Sequence, residues 1–369
     1  MSYFAINFVS LHFLCCNLKS TMNQSVTYLK AFGIILMVLG HTMTSLAYFS
    51  QFIAMFHMPL FFFISGYCFK RKYLNEPKSY LLKKVKSIYW PYLKWSVVFL
   101  ACHNLFFHLN LYNDSYGWGG YVSYLYEWPE IWHRLGYIVF LMTDHEQLLG
   151  GYWFMSAMFF GTVVAFLTLK LLRREEIAWG VNMAVCFAIT YFELRNPFYN
   201  TMLQAFYTST FILTGMTFAK REVPVFPRWA VALSLVLTFT GSFFWAMGIG
   251  QFPYVLGSII PFFVTAVLAT WSFYSMFTRL NEDSILTRSL TYIGKNTLTI
   301  LTWHLLSFKM VSFLIILVAD LQMERLAEFP VIFEYSYGGW WLIYAVVALL
   351  TTCGIAYLNR YIKSPWLKL

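Results

Sequence analysis

Residues 29–42 read LKAFGIILMVLGHT, an apolar run with one lysine at its start, Lys30, and one histidine well inside it, His41. A run this apolar belongs in lipid, where every backbone N–H and C=O must be satisfied within the segment. It therefore predicts a helix that crosses a membrane. At about 100° and about 1.5 Å per residue, Lys30 and His41 fall within roughly 20° of each other and about 16 Å apart along the axis. They share a stripe that passes through Ile34 and Met37 and continues to Ser45. An ionisable side chain aimed at lipid from this depth is costly, so the stripe is expected to face protein or a cavity.

The rest of the chain agrees with that reading. Of 369 residues, 59% are hydrophobic and 11% charged, too few charges to cover a soluble domain of this size. Apolar windows predict ten spans, near 28–48, 51–70, 87–109, 150–171, 177–193, 198–219, 229–248, 253–277, 290–318 and 339–361. The expected fold is an all-α integral membrane protein of about ten transmembrane helices. Its basic residues orient it. With both termini cytoplasmic, only Arg134, Arg195 and Arg325 fall on the outer side and Lys94 and Lys309 inside spans, which leaves the other 21 of 26 on the cytoplasmic side. That is the positive-inside pattern, so the net charge of +10 reports topology rather than nucleic-acid binding. Residues 1–27 read as an N-terminal extension with Met22 as an alternative start, 28–363 as one transmembrane domain, and 364–369 as a cytoplasmic tail.

The longest outer segment, 110–149, carries Asp114, Glu127, Glu130, Asp144 and Glu146 among many Tyr and Trp residues. It is expected to form an aromatic lid with an amphipathic helix near 128–142 lying at the membrane surface. The six cysteines sit mostly in apolar runs without CxxC spacing and read as packing residues. There is no HExxH, GxSxG or P-loop, no carboxylate pair inside a span and no set of residues that reads as a metal site. Metalloprotease, ATPase and intramembrane protease chemistry are thereby disfavoured.

Other polar residues recur inside the apolar runs. The second span reads FIAMFHMPLFFFISGYCFKRK, in which Pro59 cannot donate to the Met55 carbonyl and should kink the helix beside His57. Ser65 and Gly66 permit close helix approach, while His57 reads equally as structural or substrate-facing. The segment that follows has seven basic residues between 70 and 86, including Arg71, Lys83, Lys84 and Lys86. Topology and anionic lipid account for many of them, and a phosphate site is the alternative reading of the Lys83, Lys84 and Lys86 cluster near Lys30. GGYWFMSAMFF, residues 150–160, opens the fourth span with Trp153, and GKNTLTILTWHLL, residues 294–306, opens the ninth with Asn296 and buries His304. A transporter or glycan exporter would also place histidines in a ten-span bundle, although no inverted repeat or paired broken helices are visible.

Taken together, these stretches resemble the acyltransferase 3 family of multispan bacterial O-acyltransferases, especially its fucose 4-O-acetylase-like branch. The resemblance rests on the basic residue and histidine at Lys30 and His41, on FHMPLFFFISGY at 56–67, and on the basic-x-x-basic pattern of Lys83 and Lys86 before Pro91 and Tyr92. It continues through YWF at 152–154 and IGKNTL at 293–298 ahead of His304. It implies transfer of a short acyl group, usually acetyl from cytoplasmic acetyl-CoA, to a hydroxyl of a surface polysaccharide or lipid-linked sugar at the bacterial inner membrane. Under it, His41 with Lys30 forms the catalytic pair, the histidine acting as general base or acyl carrier. Lys83, Lys84, Lys86 and Arg71 bind acyl-CoA, and His57, Ser65, Trp153, Asn296 and His304 face substrate. The chain has lysine where arginine is common in the family at three of the basic positions, and it does not show the glutamate motif that many members have after the Trp or the C-terminal hydrolase-like domain that some carry.

Overall fold

The computed structural model describes residues 24–42, 47–117, 122–194, 196–245, 248, 254–280 and 284–362, and these form helices joined by turns. Six stretches are long and apolar enough to cross a membrane: Gln24–Thr42, Tyr48–Tyr67, Gln147–Leu172, Leu256–Phe277, Thr297–Ala319 and Phe333–Leu358. Such a set fits a multi-pass membrane protein. The expected extension, up to residue 23, and the expected tail lie outside the described residues.

Helix α1 (Gln24–Thr42) is the first expected span. The second divides into α2 (Ala47–Ala54) and α3 (His57–Tyr67), and the break at Met55 and Phe56 falls where Pro59 removes the returning N–H. The third begins earlier than expected: α4 (Pro77–Lys84) continues through a π turn, Val85–Tyr89, into α5 (Trp90–Ala101), and α6 (His103–His108) follows a bend at Cys102. Lys78, Lys83, Lys84 and Lys86 of the basic run thus lie on this helix, and Arg71 and Lys72 in a 3-10 turn before it. Next come α7 (Trp128–Leu141), a 3-10 turn Gln147–Tyr152, α8 (Trp153–Leu172), α9 (Glu175–Tyr191), α10 (Pro197–Lys220), α11 (Arg228–Phe244) and α12 (Leu256–Phe277). The span expected at 290–318 is two helices, the amphipathic α13 (Ile285–Lys295) and the spanning α14 (Thr297–Ala319), divided at Asn296. A single turn, α15 (Phe333–Tyr335), and a π turn lead into α16 (Trp341–Leu358).

Local chemistry marks several of these ends. Asn196 caps α10 by accepting from Tyr199 N at 2.8 Å with Pro197 as the first helical residue, and Ser284 caps α13 through Thr287 N at 3.1 Å. Among the described residues Cys102, Cys186 and Cys353 are free thiols.

Helix α7 matches the expected amphipathic helix in extent, but it lies along α5. Tyr126 N donates to Asn104 Oδ1 at 2.8 Å near its start, and Tyr89 Oη donates to Val139 O at 2.7 Å near its end. The two helices run antiparallel, so α7 carries the following loop, residues 142–146, to the level of Tyr92, whose hydroxyl donates to Thr143 O at 3.3 Å. Trp128, Trp132 and Phe140 stay exposed on its outer face, while Arg134 turns inward to Glu130 and Asp144.

In lipid, helices associate through close backbone approach rather than a hydrophobic drive. At the α3–α10 contact a Cβ on Gly66 would collide with the Ile212 carbonyl, and one on Gly215 with the Phe63 carbonyl. Both obstacles are backbone and cannot rotate away. Gly215→Ala is expected to cost about 1–3 kcal/mol through overpacking, read as a lower unfolding temperature of the purified protein. Gly180→Ala on α9, where a Cβ meets open space, should leave that temperature within about a degree or raise it, since alanine is the better helix former.

Candidate functional site

The stripe on α1 faces a matching stripe on α14. Thr297, Leu301 and His304 are spaced i, i+4, i+7 and so share one face. Ile34 and Met37 from α1, Met58 and Phe61 from α3, Phe154 from α8, and Thr297, Leu298 and Leu301 from α14 line one apolar cavity. It offers about 10 Å³ to the centre of a water molecule, room for roughly one water. The cavity therefore runs alongside the stretch between Lys30 and His41. Methionine and leucine side chains form much of its wall, and methionine's flexible thioether chain lets such a wall re-pack around a guest.

Past the cavity, on the side away from Lys30, three histidines gather. The rings of His41 and His304 lie 5.3 Å apart at 33°, and His57 interacts electrostatically with His41. Hydrogen bonds set two of the tautomers. His57 Nδ1 donates to Ile53 O at 2.8 Å beside the α2–α3 break, and His304 Nδ1 donates to Leu301 O at 3.0 Å and Ile300 O at 3.1 Å. A carbonyl only accepts, so Nδ1 carries the hydrogen in both rings and each neutral imidazole keeps a lone pair at Nε2. His304 Nε2 is buried without a protein partner. The proline kink and the α1–α14 contact thus converge on His41 from two sides.

At the other end of the cavity the residues are basic. Lys30 is 2% exposed, one turn beyond Thr27, and has Lys295 as a charged neighbour. Lys84 reaches Ser65 Oγ at 3.4 Å and lies over the Tyr80 ring at 5.4 Å, so Ser65, which reads as a packing residue, also holds a cation. Lys83 turns to the Tyr73 hydroxyl at 3.3 Å and is exposed, as is Lys86. Arg71 is committed elsewhere: with Lys220 it clamps the Glu175 carboxylate, which is buried at the start of α9. Glu175→Gln should weaken both charged hydrogen bonds and destabilise the protein by about 2 kcal/mol, detectable by thermal unfolding. Asn296 also turns from the passage, donating to Tyr292 O at 2.7 Å at the end of α13. Trp153 is half-buried at the start of α8. Among the described residues no group of three or more His, Cys, Asp or Glu side chains is placed to hold a metal ion.

One part of the site has no precursor in the span reading. The loop after α7, with Met142 and Asp144 in left-handed conformation, lowers His145 against Tyr92 and Tyr152, at ring distances of 6.2 and 6.4 Å. The turn that follows brings Gly151 against His304: a Cβ there would lie 2.8 Å from Leu301 Cδ1 and 3.6 Å from His304 Cε1. Tyr152 then shares a hydrogen bond with Thr302 at 2.8 Å. Next to His145, Glu146 meets His103 Nδ1 at 3.0 Å, while His103 Nε2 donates to Tyr124 O at 3.0 Å and its ring stacks on Tyr126 at 3.3 Å. Burial pushes the Glu146 carboxyl above its usual range. These contacts pin the loop at the depth of the histidines. The sequence signal that could have located it is the clustered Asp144, His145 and Glu146, three residues before GGYW.

Compared with known proteins, residues 23–360 match the acyltransferase domain of the acyltransferase 3 type. No curated protein and no solved structure matches the chain.

Proposed function

Since the chain belongs to the acyltransferase 3 family, and is therefore an acyltransferase, we propose that it moves an acetyl or other short acyl group from cytoplasmic acyl-CoA to a hydroxyl of a surface polysaccharide or lipid-linked sugar. One observation carries the reading: Ile34 and Met37, which line the apolar cavity, lie on α1 between the buried Lys30 and the partly buried His41, and His41 is packed against His304. The end bearing Lys30, Lys84 and Lys295 is assigned to the cytoplasm on the distribution of basic residues over ten spans.

The donor's phosphates rest near Lys30 and Lys84, and its pantetheine arm takes the passage once Met37, Met58 and Leu301 give way. The thioester then stands beside His41. With His304 packed against one face of its ring, His41 takes the acceptor proton on a ring nitrogen. The acceptor oxygen attacks the thioester carbonyl, the C–S bond breaks, and the proton passes from His41 to the departing thiolate. A sugar acceptor agrees with the resemblance to the fucose 4-O-acetylase-like branch.

The test is release of CoA from acetyl-CoA by the purified, lipid-reconstituted protein, with and without surface glycan isolated from cells lacking the protein. Glycan-dependent CoA release with acetyl appearing on the glycan supports the proposal. Movement of glycan across the bilayer without CoA release would make the protein an exporter.

A further inference from the structure

Three buried polar atoms around the Gly150–Tyr152 turn have no protein partner: His304 Nε2, Trp303 Nε1 and His145 Nδ1. Buried groups of this kind are normally satisfied, and where the protein supplies no partner a water or a ligand does. They are linked through that turn. The His145 ring lies beside the Gly150 backbone, the next residue presses on His304, and Tyr152 bonds to the residue before Trp303. The His145 Nδ1 atom can donate or accept according to the ring's tautomer. Trp303 Nε1–H can only donate. Aromatic surface surrounds them: Trp303 packs on Trp95 at 5.1 Å and on Phe99 at 5.8 Å, and Tyr92 joins His145 to Tyr152.

Resting on the acyl-transfer reading, we propose that His145 and Trp303 form the acceptor subsite and bind a polyhydroxylated substrate, a sugar, through hydroxyls other than the one acylated. One hydroxyl hydrogen-bonds to His145 Nδ1, another accepts from Trp303 Nε1, and the apolar face of the ring lies on the aromatic surface. A hydroxyl both donates and accepts, so it can answer the histidine nitrogen in either tautomer as well as the indole N–H, and a sugar presents several at fixed spacing. A simple alcohol has only the reacting one. The loop after α7 is what brings His145 here, so the segment read as an outer lid would instead serve as a wall of the acceptor site.

The experiment uses full-length protein in nanodiscs, radiolabelled acetyl-CoA, and octyl hexosides and 1-octanol as acceptor probes. Wild-type protein is expected to acetylate at least one octyl hexoside with a KM at least about tenfold below that for 1-octanol, as expected when two buried polar groups lose their partners. His145→Gln keeps an amide near the Gly150 backbone but has nothing at the Nδ1 position, and should raise the hexoside KM about tenfold while the acetyl-CoA KM stays within twofold. His145→Asn, whose amide reaches the Nδ1 position, should recover most of that loss. Trp303→Phe should also raise the hexoside KM. A purely structural role through Gly150 predicts the reverse order, with Gln rescuing and Asn failing, and would overturn the subsite. So would equal use of 1-octanol and hexosides, or a hexoside KM untouched in both His145→Gln and Trp303→Phe, the result if water alone satisfies these atoms. Failure of the underlying reading looks different: wild-type protein that binds octyl hexosides by titration but consumes no acetyl-CoA keeps the subsite and removes the donor.

Discussion

Replacing His41 by alanine is expected to lower acyl transfer by about 10²–10⁴-fold, the usual contribution of a positioned general base, while the protein inserts and purifies normally. His41 is partly buried and packs against His304 by ring contact rather than through a hydrogen bond that holds the fold. The loss should therefore appear in kcat, with the KM for acyl-CoA changed little. His304→Ala removes the neighbour that orients His41 and should cost less, about tenfold. Steady-state rates of CoA release, with an unfolding temperature for each variant, check both. Native-rate transfer by His41→Ala would remove the assignment.

The second large effect is expected at Met37. It lies on α1 between Lys30 and His41 and lines a cavity with room for little more than one water. Met37→Trp puts a rigid indole where the thioether can swing aside. Misplacing a bound donor by about an ångström can cost roughly 10²-fold, and a blocked arm should lose at least that much in kcat/KM for acyl-CoA. Met37→Phe should show a smaller loss in the same direction, and Met37→Ala should widen the range of acyl chains accepted. If Met37→Trp transfers acetyl at the native rate, the donor takes another route.

Much of this arrangement was legible in the chain. The 11-residue spacing of Lys30 and His41 placed both on one stripe because helical geometry leaves no freedom once lipid forces a helix. The break beside His57 followed from Pro59, which has no N–H to give. Arg71 and Asn296 were less legible, because a basic residue or an amide near a helix end looks the same whether it meets a ligand, a carboxylate such as Glu175 or a carbonyl such as that of Tyr292. His145 was hidden for a related reason: a segment rich in Tyr, Trp and carboxylates has the composition of a membrane surface, and composition does not record depth.

By itself the sequence determined that the chain is helical, lies in a membrane, and carries a lysine and a histidine on one inward stripe, since these depend on local backbone chemistry and period. Which stripes face each other was decided only by tertiary packing. That α14 sets His304 beside His41, that the α2–α3 break adds His57, and that α7 lies along α5 and lowers His145 to their level all depend on contacts between residues far apart in the chain. The glycine contacts of α3 with α10 and the polar ties of α7 to α5 set those positions, and neither kind of contact leaves a periodic trace in a single helix.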